Sequence, residues 1–372
     1  MHHRTRLPHA LATLYALAIV YASLQPFGDW VEPAPGTPFF LFTSWPNRWL
    51  RYDLLLNIIA YFPFGFFVAW LPTRASPLVR IALGTIAGAI LSFSMESLQM
   101  FLPQRVASTS DLLSNTLGAL LGAAVAAALA RSENIKRTIS TARARLFLDG
   151  HLGDVGLALL MLWIIAQINP GIPLFAVTFD PEPGRILASS TAPPESAALV
   201  IEAAESAFQM LGVGLFLALL LRERRFIGGA VLVLIGAALV LKGVAAALVI
   251  KPAVWDSWQR PGAMMGIAVG ALLILAAVNL RRPVMVAVCG IALLSSAAVP
   301  LLAPDLLSAR APLTLFNWRY GQLLNYNGLT RTILIVWPLL AAGWLFALAG
   351  RPAWGHPDTL VNSPSPRLSN MK

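Results

Sequence analysis

The fold class this chain predicts is all-α: a polytopic transmembrane helical bundle of about ten spans. Three observations carry it. Of its 372 residues 57% are hydrophobic and only 12% charged, where a soluble domain carries about a quarter charged residues. The mean hydropathy is +0.70. The apolar residues are gathered into runs, many of about 18 to 23 residues, the length that crosses a bilayer core of about 30 Å as a helix.

Taken in order, the spans fall at 8–25, 53–71, 78–101, 111–130, 152–168, 202–221, 226–250, 262–280, 283–303 and 331–350. The first follows a basic start but runs on to Phe27 without a small-x-small cleavage site, so an uncleaved span is expected rather than a removed signal. With the N-terminus placed in the cytoplasm, 17 of the 27 Lys and Arg residues fall in cytoplasmic segments, nine fall opposite, and Lys242 lies inside a span. That bias predicts a multi-pass protein of the plasma (inner) membrane with both termini cytoplasmic. It also accounts for the formal net charge of +10 without a nucleic-acid partner. Cys289 is the single cysteine, so no intramolecular disulfide forms.

Residues 131–151 are the one substantial charged linker and divide the chain. The expected organisation is a four-span unit at 1–130, a basic cytoplasmic linker at 131–151, a six-span unit at 152–350 and a disordered cytoplasmic tail at 351–372.

An ionisable side chain in hydrocarbon is costly unless it is paired or meets water, so each one is a candidate for function. In the first unit they gather. The second span opens with Asp53 and Asn57, four residues apart and on one face; Pro63 and Gly65 lie deeper. The third ends with Glu96 and Gln99, Arg105 follows in the turn, and the fourth opens with Asp111 and Asn115. Gly118 and Gly122 continue that face as a groove for close helix packing. Three adjacent spans thus bring a carboxylate and an amide to one depth near the outer leaflet, with Arg105 as the nearby cation. Simple gluing pairs, Arg105 with Asp111 and Glu96 with Asn57, are the structural alternative. Side chains closed into pairs favour glue; side chains lining a wet cavity favour a ligand.

The pattern D-x3-N-x5-P-x-G, then E-x2-Q, then R-x5-D-x3-N-x2-G-x3-G resembles the VanZ-like family of membrane proteins over residues of about 10 to 130. Ser108 departs from it, since many members carry an acid three residues after the arginine. The resemblance implies a cell-envelope setting, with teicoplanin (glycopeptide) resistance or exopolysaccharide functions among its associations, and it implies no settled chemistry.

The six-span unit is read as containing a degenerate, parallel four-span copy of the first: Glu202 and Gly214 have the separation of Asp53 and Gly65. Counterparts of Glu96 and of Asp111–Asn115 are not evident. Lys242 lies within the seventh span with Glu202 and Glu205 on the sixth, and a Lys242–glutamate pair is the expected way to hold that cation. The stretch FNWRYGQLLNYNGLTR is expected as an interfacial aromatic lip.

No zinc-helix, nucleophile-elbow, P-loop or thiol-pair motif is present, and neither a cofactor nor a metal is expected. Three functions compete. The first is an outer-leaflet polar pocket that binds, or controls access to, a lipid-linked glycan, glycopeptide or other envelope component. The second is a structural or accessory subunit working with envelope-assembly proteins. The third is an intramembrane enzyme on a polyprenyl-linked or lipid substrate, with Arg105 on an anionic headgroup and Glu96 or Asp111 as acid or base. Membrane lipids are partners in all three.

Overall fold

The computed structural model describes residues 6–25, 27–42, 51–177, 195–256, 258–302 and 320–350. The expected tail at 351–372 lies outside them. Eleven α-helices follow one another among the described residues: α1 (Leu7–Leu24), α2 (Arg51–Trp70), α3 (Pro77–Gln99), α4 (Thr109–Arg131), α5 (Glu133–Leu146), α6 (Gly150–Gln167), α7 (Glu195–Leu220), α8 (Ile227–Val249), α9 (Pro261–Ala277), α10 (Arg282–Leu302) and α11 (Tyr320–Ala349). All but α5 correspond to the apolar runs. Among the described residues eight helices are long and apolar enough to cross a membrane, while the apolar parts of α2 and α9, Leu54–Trp70 and Pro261–Ala277, are shorter. Leu78, Leu232, Val233 and Phe346 are each more than 70% exposed on helix surfaces. Such faces fit lipid, and the chain is a multi-pass helical membrane protein.

Two elements differ from the sequence expectation. The basic linker is itself a helix, α5, opened by the Ser132 hydroxyl, which accepts the Ile135 N–H at 3.3 Å. Arg143 and Arg145 sit in its last turn, where they complement the helix dipole. None of its residues is buried, so an apolar run could not reveal it. The last helix begins at Tyr320 rather than 331 and has 30 residues, about 45 Å. It therefore takes in most of the expected aromatic lip; residues 316–319 of that lip lie outside the described residues.

Two helix pairs are packed backbone to backbone. In α2–α4, a Cβ on Gly118 or Gly122 would overlap the carbonyl oxygen of Ile58 or Phe62, and a Cβ on Gly65 that of Ala119. In α7–α9, a Cβ on Gly262, Gly266 or Gly270 would strike the carbonyl oxygens of Leu199, Ala203 and Ala207. In both pairs the contacts climb in step, so the helices run parallel, as small residues at a spacing of four allow. Gly214 of α7 faces Ile274, as Gly65 faces α4. What recurs is this pair: α3 packs against both α2 and α4, while α8 packs only lightly on α6 and α7.

Helix α1 touches both units. The Arg6 backbone N–H donates to Asp154 Oδ2 at 2.8 Å, and the Tyr21 hydroxyl bonds Thr332 Oγ1 at 2.6 Å. Asp154 also receives Arg143 at 2.9 Å, and Trp344 of α11 donates to the Leu152 carbonyl at 2.8 Å. The start of α1, the start of α6 and the end of α11 thus lie together at one end of the bundle, the Arg143 end. The opposite end holds the α3–α4 turn and is the Arg105 end.

Candidate functional site at the Arg105 end

The turn between α3 and α4 is short, and its backbone must find partners that water would supply elsewhere. Ser108 opens α4 from an extended conformation, and its hydroxyl accepts the Ser110 N–H at 3.2 Å. The Ser108 N–H points back to α3 and is accepted by Glu96 Oε2 at 2.8 Å. Glu96 itself is only 3% exposed. Asp111 lies in the first turn of α4, where the helix dipole favours a carboxylate.

Asn57 Nδ2 reaches across from α2 to Asp111 Oδ1 at 3.0 Å and to Ser114 Oγ at 3.3 Å. One turn further in, Asn115 Nδ2 donates to Ser92 Oγ at 2.9 Å, and Ser92 also bonds the Tyr61 side chain. The Asn115 Oδ1 is buried with no hydrogen-bond partner among the described residues. Asp53 falls in the first turn of α2, and its side chain lies outside the described residues.

The remaining two groups turn toward α1. Gln99 Nε2 donates to the Ser23 carbonyl at 3.0 Å, and Arg105 Nη2 donates to the carbonyls of Ala22 and Gln25 at 2.6 and 3.1 Å. These are carbonyls of the last turn of α1, which lack intrahelical donors and carry the negative end of its dipole. Burial lowers the pKa of Arg105, and the nearby Glu96 carboxylate opposes that shift. The expected pairs are therefore replaced. Arg105 caps α1 instead of meeting Asp111, and Glu96 caps the turn instead of meeting Asn57.

Above this junction the 27–42 segment is tied down through Thr109 Oγ1 to the Phe40 carbonyl at 3.0 Å and the Val31 N–H to the Phe101 carbonyl at 2.9 Å. Phe27, Trp30, Val31, Phe101 and Val106 remain exposed around it. Tyr61, Ser92 and Ser114 belong to the network and were not read from the sequence. The signal was present, since Tyr61 is one turn from Asn57 and Ser92 one turn from Glu96.

The second unit arranges its ionisable groups differently. Glu202 pairs with Arg260 at 3.0 Å. Glu205 Oε1 accepts the Val177 N–H at 2.6 Å. Lys242, fully buried, donates to the carbonyls of Asn169 and Ile172, both at 2.7 Å. The expected Lys242–glutamate pair does not form. The reason is the segment after α6, residues 168–177, a largely buried stretch of irregular backbone whose carbonyls and N–H groups take those side chains. Gln167 Oε1 accepts from Phe175 at 3.0 Å, and Ser206 donates to the Leu174 carbonyl at 3.2 Å.

Among the described residues no three His, Cys, Asp or Glu side chains gather as metal ligands. No curated protein and no solved structure matches the chain. The family model described as VanZ/LLP1 matches residues 7–130, which are α1 to α4 and the junction just described. The N-terminal third of this membrane protein is a VanZ-like domain.

Proposed function

We propose that the protein is a structural or accessory membrane protein of the cell envelope, in which the Arg105 end locks α1 to α4 into one rigid unit. The observation that carries this reading is the direction of the polar side chains. Glu96, Gln99, Arg105, Asn57 and Asn115 each donate to or accept from another element or the intervening turn. In a bilayer such bonds hold helices together because no water competes for them. The topology goes with it: the Arg143 end holds Arg74, Arg80, Arg131 and the α5 cations, so it faces the cytoplasm of the inner membrane.

A second reading is favoured by one edge. Asn57 and Asp111 are half-buried rather than closed off, and exposed Phe27, Trp30 and Val106 lie at the same end. A lipid-linked glycan or glycopeptide would set its polar part on Asp111 and its apolar part on that rim.

One series separates the two. Glu96→Gln, Gln99→Leu, Arg105→Ala and Asp111→Asn are compared for folded yield in detergent and for envelope phenotype at matched protein level. The structural reading expects phenotype and folded yield to fall together in every variant. Asp111→Asn with full folded yield and no phenotype sinks it in favour of the ligand edge.

A further inference from the structure

At the Arg143 end, α5 and the α7–α8 turn form an open groove of about 520 Å3 that plays no part in the function proposed above. Its polar lining is Arg137, Thr138, Thr141 and Arg145, and its apolar lining includes Leu146 and Phe226. Arg137, Thr141 and Arg145 are spaced by four, so they form one stripe along α5. Its two guanidinium-bearing positions lie about 12 Å apart along the axis.

No carboxylate lines the groove. The acids around it are already engaged elsewhere: Glu133 with Lys136, Asp149 with Arg222, Glu223 with Arg225, and Asp154 with Arg143. Arg145 lies 5.9 Å from the centre of the Phe226 ring. Phe226 is the residue before α8, whose first turn has no side-chain cap, so the positive end of that helix also faces this region. The walls are clamped by a short antiparallel pairing, Leu148 N–H to Leu220 O at 2.9 Å and Arg222 N–H to Leu146 O at 3.0 Å.

Position completes the argument. Helix α4 ends at Arg131, α6 begins at Gly150, α7 ends at Leu220 and α8 begins at Ile227. The two elements that line the groove are thus joined in sequence to the ends of four apolar helices, which puts it near the headgroup level expected for helices that cross a bilayer. A positively charged stripe with an apolar floor at that depth matches one ligand class. We propose that the groove binds an anionic phospholipid, its phosphate held by Arg137 and Arg145 with the Thr138 and Thr141 hydroxyls, and its glycerol and upper acyl chain against Leu146 and Phe226. A free phosphate would leave that apolar floor bare.

The test uses the full chain purified in a neutral detergent and stripped of lipid. Binding of dioctanoyl phosphatidylglycerol, dioctanoyl phosphatidylcholine and inorganic phosphate is followed by native mass spectrometry and by thermal shift. The anionic lipid is expected to bind about tenfold tighter than the zwitterionic one, and equimolar phosphate to leave it in place. A basic residue near a membrane surface contributes roughly a fivefold factor, so Arg137→Gln with Arg145→Gln removes most of the preference. Phe226→Ala weakens both lipids alike, and Arg281→Gln, away from the groove lining, changes neither. Both groove arginines are exposed, so the double variant is expected to melt like the parent; if it does not, Arg145→Gln alone is read the same way. An anionic preference that survives in the folded variant overturns the proposal, and so does phosphate that displaces the lipid at equal concentration.

Discussion

The α3–α4 turn and the segment after α6 pose one problem and solve it in two ways. Each is irregular backbone in a membrane bundle, where an unpartnered N–H or carbonyl is expensive. The α3–α4 turn is short, so neighbours within the same unit suffice: Glu96 takes the Ser108 N–H, Ser108 caps α4 and Arg105 reaches back to α1. The segment after α6 is more deeply buried, with Leu174 through Val177 fully enclosed. Side chains from three helices enter it: Gln167 from α6, Glu205 and Ser206 from α7, Lys242 from α8. Phe175 adopts a φ of +57° there, a left-handed conformation that an L-residue adopts at a cost of about 1 kcal/mol. It packs its ring 4.7 Å from Trp163. A buried charge in this chain is first of all a partner for backbone.

Lys242 gives the largest test of that contrast. Lys242→Met keeps the volume and removes the donor, leaving the Asn169 and Ile172 carbonyls without their ammonium. The Asn169 carbonyl keeps the Ile172 N–H at 3.4 Å while the Ile172 carbonyl loses its donor; with an unsatisfied buried group costing about 1–3 kcal/mol, a loss of about 2 kcal/mol is expected. It should appear as a lower thermal midpoint in detergent and as faster amide exchange confined first to 168–177. Unchanged stability would break the view that the ammonium holds the segment.

The second test concerns what the two units share. Gly122→Ala and Gly270→Ala each drive a Cβ into a carbonyl of the paired helix, and overpacking of this kind costs about 1–3 kcal/mol. Gly236→Ala in α8, where nothing lies within 4 Å, should instead be neutral or stabilise by up to about 1 kcal/mol. Equal losses at Gly122 and Gly270 would make the pairing equivalent in both units; a loss at one alone would confine it to that unit.

Much of this was legible beforehand, because hydrophobic length reports a membrane helix directly: ten apolar helices lie where ten runs were read. The set Asn57, Glu96, Gln99, Arg105, Asp111 and Asn115 was legible too, because polar residues in apolar runs are few and these sit at one depth. Their partners were not. Glu96 and Arg105 act on backbone atoms of Ser108, Ala22 and Gln25, and a sequence of side chains does not show which carbonyl or N–H lacks a partner. Lys242 misled for the same reason, since opposite charges suggest a pair while the segment it holds carries no charge. Helix α5 escaped because its signal is a cap and a basic last turn rather than an apolar run.

Glu205→Gln and Glu96→Gln sharpen the contrast at a smaller scale. Glutamine keeps an acceptor oxygen in nearly the same place but replaces the carboxyl by an amide, so each variant reads how well the carboxyl serves its backbone N–H. Val177 is fully buried, so Glu205→Gln should lose about 1 kcal/mol. Ser108 is only half-buried, so solvent or a headgroup can replace part of what Glu96 supplies, and Glu96→Gln should lose less. Amide exchange at Val177 and at Ser108, measured beside the melting curves, reads each bond by itself. A larger effect at Ser108 would reverse the contrast.

Ser108 and Arg260 give the smallest effect and the closest comparison. Each is the residue before its helix, α4 or α9, and each stands ten residues ahead of a packed glycine, Gly118 or Gly270. Ser108 caps with its hydroxyl, whereas Arg260 makes no side-chain cap and pairs with Glu202 instead. Ser108→Ala should lose about 1 kcal/mol. Ser108→Asp keeps a cap and suits the helix dipole, but it sets a third carboxylate beside Glu96 and Asp111, so it should stay within about 0.5 kcal/mol of the parent. Arg260→Ser moves the cap into the second unit and strands Glu202, so the gain at α9 should be outweighed by the lost partner. If Arg260→Ser stabilises the protein, the ion pair contributes less than a single hydroxyl, and the two helix starts differ in residue but not in what holds them.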